Sequence, residues 1–317
     1  MKHWLCMLGF MLAISGTAIA KPDLSRPQGP TLADTGSAFY RFSRHELDSV
    51  DGRRHYRIWV ATPRRAAPQA GYPVLYLLDG NAALGAIEEG QLADLDERGP
   101  PVLVFVGYAT ELRFDTTARA YDYTPPLPGG KPVIDDITRD RQGGGADVFL
   151  DLLEQRIKPL VQSQAAIDLQ RQGLWGHSYG GLLTLHTLFT RPQLFQRYIA
   201  ADPSIWWQQG FILQEERRLS PVTPLDLTLL AGGAKRERAS GQGDADPQVR
   251  ARREATASVP ANAAEQMARR LAALPQARVR YQMFPELGHG PMLPASLGPA
   301  LRLSVGDEGG VPAVDVP

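Results

Sequence analysis

The sequence predicts an α/β fold, in which a mostly parallel central sheet has antiparallel entry strands and carries helices on both faces. Two observations predict it. Tyr72 to Leu78 and Val102 to Val106 are continuous apolar runs, typical of parallel strands that are buried on both faces. Segments with helical periodicity alternate with such runs along the chain, and this alternation is typical of a parallel sheet covered by helices.

The elements of the first half follow in order. Phe39 to Leu47 and His55 to Thr62 alternate polar and apolar residues, as half-buried antiparallel strands do. Ala82 to Arg98 and Ala146 to Gln164 are predicted helices. Between them, Tyr108 to Gly145 is rich in Pro, Gly, Asp, Arg and Tyr and has no periodicity. Such a long irregular stretch is typical of an active-site wall.

The second half continues the alternation of strands and helices. Its predicted strands are Ile167 to Trp175, Arg197 to Ala201, Leu225 to Leu230 and Val279 to Phe284, and its predicted helices are Gly181 to Phe189, a Trp-bearing helix from Ser204, and Ala263 to Leu274. Residues 233–261 are polar and basic and predict an exposed insertion. Residues 37–303 therefore predict one domain, followed at 304–317 by a Gly- and Pro-rich tail that we expect to be disordered.

The first twenty residues differ from the rest of the chain. A positively charged start precedes an apolar stretch from Trp4 to Ile14, and Ala18-Ile19-Ala20 is a small-x-small cleavage pattern. This segment predicts a secretory signal peptide and hence a periplasmic protein. Its cleavage would remove Cys6, the single cysteine, so the mature chain would form no disulfide. Residues 21–36, rich in Pro, Gly and Ser, would then form a loose N-terminal arm.

Composition argues against several classes of partner. The 34 acidic and 34 basic residues balance, so no net charge favours nucleic acid or a membrane surface. Beyond the N-terminal segment, no apolar stretch approaches the length of a membrane span. The sequence has no His-Glu-x-x-His motif, no Cys–His cluster and no acidic calcium loop. We therefore expect neither a metal nor another cofactor.

The segment Gly176-His177-Ser178-Tyr179-Gly180 has the pattern Gly-x-Ser-x-Gly. A predicted strand precedes it, and a predicted helix that ends at Arg191-Pro192 follows it. A strand, a sharp turn and a helix form a nucleophile elbow, which is typical of the α/β-hydrolase fold. Ser178 is therefore the candidate nucleophile.

A serine hydroxyl is a poor nucleophile near neutral pH, so Ser178 needs a base. Of the five histidines of the mature chain, only His289 lies in a glycine-flanked loop after the last predicted strand, where this fold places its base. The acid that orients the base is open. Glu237 follows the strand at 225–230 and is preferred over Asp202, which follows the preceding strand; a Ser–His dyad without an acid is equally compatible with the sequence.

The oxyanion hole is expected to combine two backbone N–H groups. One belongs to Tyr179, directly after the nucleophile. The other lies in the loop Asp79-Gly80-Asn81-Ala82 after the predicted strand at 72–78, where the Asn81 amide is preferred.

Four segments resemble the esterase-D-like branch of the α/β-hydrolases, and within it the periplasmic trilactone esterases that open enterobactin-type siderophores. They are Tyr72 to Ala82, Arg119 to Pro125, Gly173 to Gly181 and Gly288 to Gly290. The resemblance spans residues 35–303. Members of this group resemble one another in lacking an obvious triad acid, which keeps the dyad open.

The resemblance implies a serine esterase that hydrolyses a catecholate trilactone siderophore, ferric or iron-free, to help release iron. Such a substrate is strongly anionic and has flat rings. Arg113 and Arg119 are therefore candidates for guanidinium contacts to catecholates, and Trp206 is a candidate for stacking on the rings. The alternative for Arg119 is an ion pair with Asp122 that shapes the loop.

Two other functions stay open at this point. One is a general carboxylesterase or acyltransferase of the same branch that acts on other esters or thioesters. The other is a catalytically silent siderophore-binding protein, since a fold alone does not establish turnover. The presence of both Ser178 and His289 favours an enzyme over a binding protein.

Overall fold

Ten strands and ten α-helices account for most of the part of the chain that the computed structural model describes, which is residues 26–130, 132–136, 141–219, 224–234, 250 and 254–314. The strands are β1 (Tyr40–Asp48), β2 (His55–Pro63), β3 (Tyr72–Leu78), β4 (Val102–Tyr108), β5 (Val133–Asp136), β6 (Arg141–Gly143), β7 (Ile167–His177), β8 (Arg197–Ala201), β9 (Leu225–Gly232) and β10 (Ala277–Phe284).

Eight of these strands form one mixed sheet in the order β1-β2-β4-β3-β7-β8-β9-β10. The first three pair antiparallel, and from β4 to β10 all neighbours are parallel. The strands β5 and β6 form a separate antiparallel hairpin. Because β3 and β4 lie inside the sheet and are covered on both faces, every residue of both strands is buried.

Helices cover both faces of the sheet. They are α1 (Leu32–Thr35), α2 (Gly80–Leu84), α3 (Glu89–Arg98), α4 (Ala118–Asp122), α5 (Ala146–Leu152), α6 (Lys158–Gln164), α7 (Tyr179–Thr190), α8 (Ile212–Glu216), α9 (Ala263–Ala272) and α10 (Met292–Ser304). The apolar side chains of α2, α3 and α10 pack on one face, and those of α5 to α9 pack on the other. No helix within the described ranges is both long and apolar enough to cross a membrane.

The α/β class predicted from the sequence is confirmed, and three helices differ in detail. The helix predicted from 82 to 98 is two helices, α2 and α3, separated at Gly85. A π-helical turn at Leu153–Ile157 joins α5 to α6 within the helix predicted from 146 to 164. The helix expected from Ser204 starts later, because a 3₁₀ turn at Trp207–Gln209 precedes α8.

Both ends of the described chain contact the rest of the domain. The expected loose arm pairs with the irregular wall, since Pro27 bridges Leu112 and the Gln28 N–H donates to the Glu111 carbonyl at 2.7 Å. The expected disordered tail runs along the edge strand β10, where Ala313 bridges Arg280. The signal peptide at 1–20 and most of the insertion at 233–261 lie outside the described residues.

One buried charge links the helix that follows the elbow to its neighbours. His186 on α7 is 1% exposed, its Nδ1 lies 2.8 Å from Glu215 Oε2, and its Nε2 lies 3.3 Å from Asp147 Oδ1. Burial alone would lower the pKa of His186, but the hydrogen bonds to the two carboxylates raise it to about 9. A charged imidazole therefore joins α7 to α5 and α8 at neutral pH.

This cluster predicts a stability contribution that is lost at high pH. The folded-state pKa of His186 exceeds the value near 6.5 of the unfolded chain, so the contribution is complete below about pH 6.5 and disappears as pH rises through about 9. We expect the difference in unfolding free energy between the protein and His186→Asn, measured with urea, to shrink by roughly 3 kcal/mol between pH 6 and pH 10. A difference that does not change with pH would contradict this, and His45→Asn on β1 serves as the control.

Candidate active site

The candidate catalytic side chains lie at the carboxyl ends of parallel strands. Ser178 follows β7, Asp202 follows β8 and His289 lies in the loop after β10. Since β7 and β8 are neighbours and β10 lies two strands further, these loops meet beyond the carboxyl ends of the parallel strands. Open α/β sheets bind their ligands in this region.

Ser178 occupies a strained backbone conformation, with φ of 62° and ψ of −117°. Gly176 makes this turn possible, because a Cβ at position 176 would lie 2.2 Å from the Gly180 carbonyl oxygen. The Ser178 carbonyl accepts from the Leu182 N–H at 2.9 Å, so α7 begins directly after the serine. The observed strand, turn and helix have the geometry of a nucleophile elbow.

Ser178, His289 and Asp202 form a continuous hydrogen-bonded line. His289 Nε2 lies 3.0 Å from Ser178 Oγ, and His289 Nδ1 lies 2.5 Å from Asp202 Oδ2. Asp202 is a carboxylate acceptor, so His289 donates from Nδ1 and leaves its Nε2 lone pair to accept from the Ser178 hydroxyl. This is the tautomer that a serine nucleophile requires of its base.

Asp202 takes the place of the acid, which corrects the preference for Glu237. Glu237 lies outside the described residues, and the imidazole nitrogen that an acid would bind is already bound to Asp202. The second carboxylate oxygen of Asp202 accepts from the Gly232 N–H at 3.2 Å. Burial opposes ionisation of Asp202, but the hydrogen bond and charge of His289 hold its pKa below the usual value. Asp202 therefore faces His289 as an anion.

His177 supports the base, a role that the sequence did not indicate. Its ring centroid lies 4.7 Å from that of His289, and its Nε2 lies 2.9 Å from the His289 carbonyl oxygen. Burial and the neighbouring His289 lower the pKa of His177 to about 3. His177 is therefore neutral at physiological pH and donates to that carbonyl, which fixes the loop that carries the base.

The two residues expected at the oxyanion hole lie at helix N-termini. Tyr179 is the first residue of α7 and Asn81 is the second of α2, and the first N–H groups of a helix have no carbonyl partner within it. The Asn81 side chain is occupied elsewhere, since its amide donates to the carbonyls of Tyr108, Thr110 and Leu112 at 3.0–3.1 Å. The use of the Asn81 backbone amide stays a prediction.

The main partner of Arg119 is Asp79, and not Asp122 as one alternative from the sequence expected. Its guanidinium binds the buried Asp79 through two nitrogens, at 2.8 and 2.7 Å, whereas Asp122 pairs with Arg54 at 3.0 Å. Asp79 precedes Asn81 and has φ of 51°, so this ion pair holds the turn that begins α2. Arg119 therefore supports the turn that begins α2, and its use as a substrate contact stays a prediction.

The other two proposed substrate contacts are Arg113 and Trp206, which lie near Arg119 and Tyr179 respectively. The Arg113 guanidinium lies 5.7 Å from the ring centroid of Phe114, and the Arg119 guanidinium lies 5.4 Å from the same ring. The half-buried Trp206 ring lies 6.2 Å from the Tyr179 ring. Its neighbour Trp207 is 2% exposed and belongs to the core.

Ligand atoms of His177, Asp202 and His289 lie within 4.8 Å of one another, the spacing of a possible metal site. Hydrogen bonds already account for this cluster, because His289 binds Asp202 and His177 binds a backbone carbonyl. The arrangement therefore fits a proton relay that activates Ser178 for attack on a carbonyl carbon.

Comparison with known proteins agrees with this chemistry. The family model described as "Putative esterase" matches residues 49–274. The chain is 42% identical to the apo-salmochelin esterase of Escherichia coli O6:H1 over 92% of this chain and 87% of that protein. It is 33% identical to the ferri-bacillibactin esterase BesA of Bacillus subtilis, over 83% of this chain and 89% of that one.

Solved structures show the same similarity in three dimensions. The structure of the enterobactin hydrolase IroE in complex with DFP superposes with a TM-score of 0.67 and 38% sequence identity, and the match covers 87% of this chain and all of the other. The BES protein from Bacillus cereus superposes with a TM-score of 0.68 at 28% identity, over 83% of this chain and 95% of that one.

The contact between Asp202 and His289 separates a triad from a dyad. In Asp202→Asn the carboxylate that orients and stabilises the imidazolium is lost, so we expect kcat for a nitrophenyl ester to fall by about 10³- to 10⁴-fold with little change in KM. Steady-state kinetics measures both constants. Glu237→Gln is the matched variant and should keep full activity. If Asp202→Asn keeps its kcat, Ser178 and His289 act as a dyad.

Proposed function

This chain belongs to the esterase family and is a serine carboxylic ester hydrolase, and we propose that it hydrolyses the ester bonds of a catecholate trilactone siderophore to help release iron. The observation that carries the substrate is the 42% identity to an apo-salmochelin esterase along nearly the whole chain. The line of hydrogen bonds from Ser178 to Asp202 supplies the chemistry.

The first half of the reaction transfers an acyl group to Ser178. As Ser178 Oγ attacks the ester carbonyl, His289 Nε2 takes the hydroxyl proton and becomes an imidazolium, which the Asp202 carboxylate stabilises. The carbonyl oxygen becomes an oxyanion beside the N–H groups at the starts of α7 and α2. When the intermediate collapses, the departing seryl oxygen of the substrate takes the proton from His289.

The second half releases the acyl group. A water molecule gives its proton to His289 Nε2 and attacks the acyl-enzyme, and a second oxyanion forms at the same place. Collapse returns the proton to Ser178 Oγ and frees a carboxylic acid. Each ester bond cut therefore consumes one water, and the enzyme ends in its starting state.

The ion pairs of the active-site wall, residues 108–145, indicate which arginine side chain is available to an anionic substrate. Arg119 is neutralised by Asp79, and Arg141 on β6 is neutralised by Asp135. Within the described ranges, Arg113 forms no ion pair, and it is partly exposed beside the Phe114 ring. Arg113 is thus the arginine best able to bind a catecholate oxygen, with Trp206 as a ring surface.

The same proposal extends to the compartment. The N-terminal segment, whose pattern predicts a cleavable signal peptide, supports export to the periplasm. Any iron present is part of the substrate, whether the preferred form is ferric or iron-free, and we propose no protein ligand for it.

Product analysis tests the proposed substrate. We expect the mature protein, incubated with iron-free or ferric enterobactin, to give linear trimer, dimer or monomer detected by mass spectrometry, because each hydrolysed ester opens or shortens the macrolactone. Ser178→Ala should give none of these products while it still binds the substrate. Turnover of a nitrophenyl ester without any siderophore products would instead indicate a general carboxylesterase, and binding without any turnover would indicate a binding protein.

Arg113→Ala tests recognition of the catecholate charge. Removing a guanidinium contact to an anion should raise KM for the catecholate substrate by about tenfold, since such a contact contributes on the order of 1–2 kcal/mol. The KM for a neutral nitrophenyl ester should change little. Arg269→Ala, an exposed arginine on α9, is the control and should change neither constant. Equal losses on both substrates would assign Arg113 a structural role.

A further inference from the structure

The hairpin of β5 and β6 places a fully buried carboxylate beside the nucleophile elbow. The side chain of Asp135 on β5 is 0% exposed. The start of β5 and the end of β6 are anchored together, since Val133 is buried and the Gly144 N–H donates to Thr124 Oγ1 at 2.8 Å. Asp135 therefore lies in a segment that the surrounding structure holds in place.

Asp135 has three partners from different parts of the chain. Its Oδ2 accepts from Arg141 of the same hairpin at 2.6 Å, which neutralises the buried charge. Its Oδ1 accepts from the Tyr179 hydroxyl at 2.8 Å and from Trp207 Nε1 at 3.1 Å. A buried carboxylate needs such partners, because an unpaired buried charge is strongly unfavourable.

The Tyr179 partner connects Asp135 to the reacting centre. Tyr179 directly follows Ser178, and its backbone N–H is the expected oxyanion donor. Its side chain is held at two places, by Asp135 at the hydroxyl and by the Arg119 guanidinium 5.3 Å from its ring centroid. Burial and the nearby Asp135 raise the pKa of Tyr179, so the phenol keeps its proton and donates it to the carboxylate.

The Trp207 partner connects Asp135 to the loop of the acid. The Trp207 N–H donates to the Ser204 carbonyl at 3.0 Å, and the Ser204 N–H donates to the Ser178 carbonyl at 3.1 Å. Asp202 lies two residues before Ser204. One carboxylate oxygen therefore joins the elbow to the loop after β8.

We infer that Asp135 is a positioning residue for ester hydrolysis, which fixes the backbone of Tyr179 through the Tyr179 hydroxyl and ties it to the Asp202 loop through Trp207. This inference rests on Ser178 being the nucleophile, as in the proposed function, but it does not depend on the identity of the ester. Asp135 touches no reacting atom. Its effect comes from orientation, since an oxyanion donor displaced by a fraction of an ångström stabilises the transition state less.

A double-mutant cycle tests the connection. The protein, Asp135→Ala, Tyr179→Phe and the double variant are compared by kcat and KM for 4-nitrophenyl acetate, by the rate of inactivation by DFP, and by Tm. We expect Asp135→Ala to lower kcat and the DFP rate by about tenfold with KM within about twofold, since a donor is displaced rather than removed. Tyr179→Phe should lower both by about threefold, and the double variant should match Asp135→Ala, because both changes break one connection.

Glu216→Ala is the matched control for a merely structural ion pair. Glu216 on α8 binds Arg270 through two bonds of 2.7 Å, and its side chain is 6% exposed. This variant should lower Tm as Asp135→Ala does, yet keep kcat and the DFP rate.

Three results would overturn the inference. They are losses of kcat that multiply in the double variant, an equal loss of kcat in Glu216→Ala, and an unchanged kcat in Tyr179→Phe. The last decides the matter even if Asp135→Ala does not fold, because Tyr179→Phe removes a single hydrogen bond. Whether the unchanged protein hydrolyses the ester through Ser178, and whether it also cleaves enterobactin, separately tests the proposed function.

Discussion

The active site depends on the close approach of two backbones, at Gly176 and Gly180. Any side chain at position 176 would collide with the carbonyl of residue 180, so only glycine lets the chain turn this sharply. The turn holds Ser178 in a conformation that costs on the order of 1–3 kcal/mol, and the packed strand β7 and helix α7 compensate for it. In return the hydroxyl faces His289, and the next N–H lies at the start of a helix.

Two buried pairs of aspartate and arginine surround this turn. Asp79 with Arg119 holds the loop after β3, and Asp135 with Arg141 holds the hairpin against Tyr179. In each pair the arginine comes from the long segment between β4 and α5. That segment therefore acts as a scaffold for the elements that come before and after it in the chain, although its own composition resembles that of an irregular loop.

The sequence predicted what depends on local pattern. The sheet, most helices and the elbow at Ser178 follow from periodicity and glycine spacing, and His289 follows from its place after the last strand. The acid did not follow, because the choice between Asp202 and Glu237 depends on how far each loop turns back towards His289. The loop of Asp202 turns back towards His289 with Asp202 at a φ of 41°, and no local sequence pattern predicts this conformation. The partner of Arg119 was missed for the same reason, since Asp79 lies 40 residues away along the chain.

The two edges of the sheet are protected from pairing with other chains by different means. At β10 the segment that ends at Val314 occupies part of the edge, with the Val314 N–H donating to the Val279 carbonyl at 3.0 Å. At β1 the outward side chains are charged, as at Arg41, Arg44 and Glu46. Charges discourage a second strand from docking, whereas the tail competes for the same hydrogen bonds. Resistance to aggregation at the β10 edge therefore depends on residues 312–314, so a chain without them would leave backbone groups of β10 free to pair with another strand.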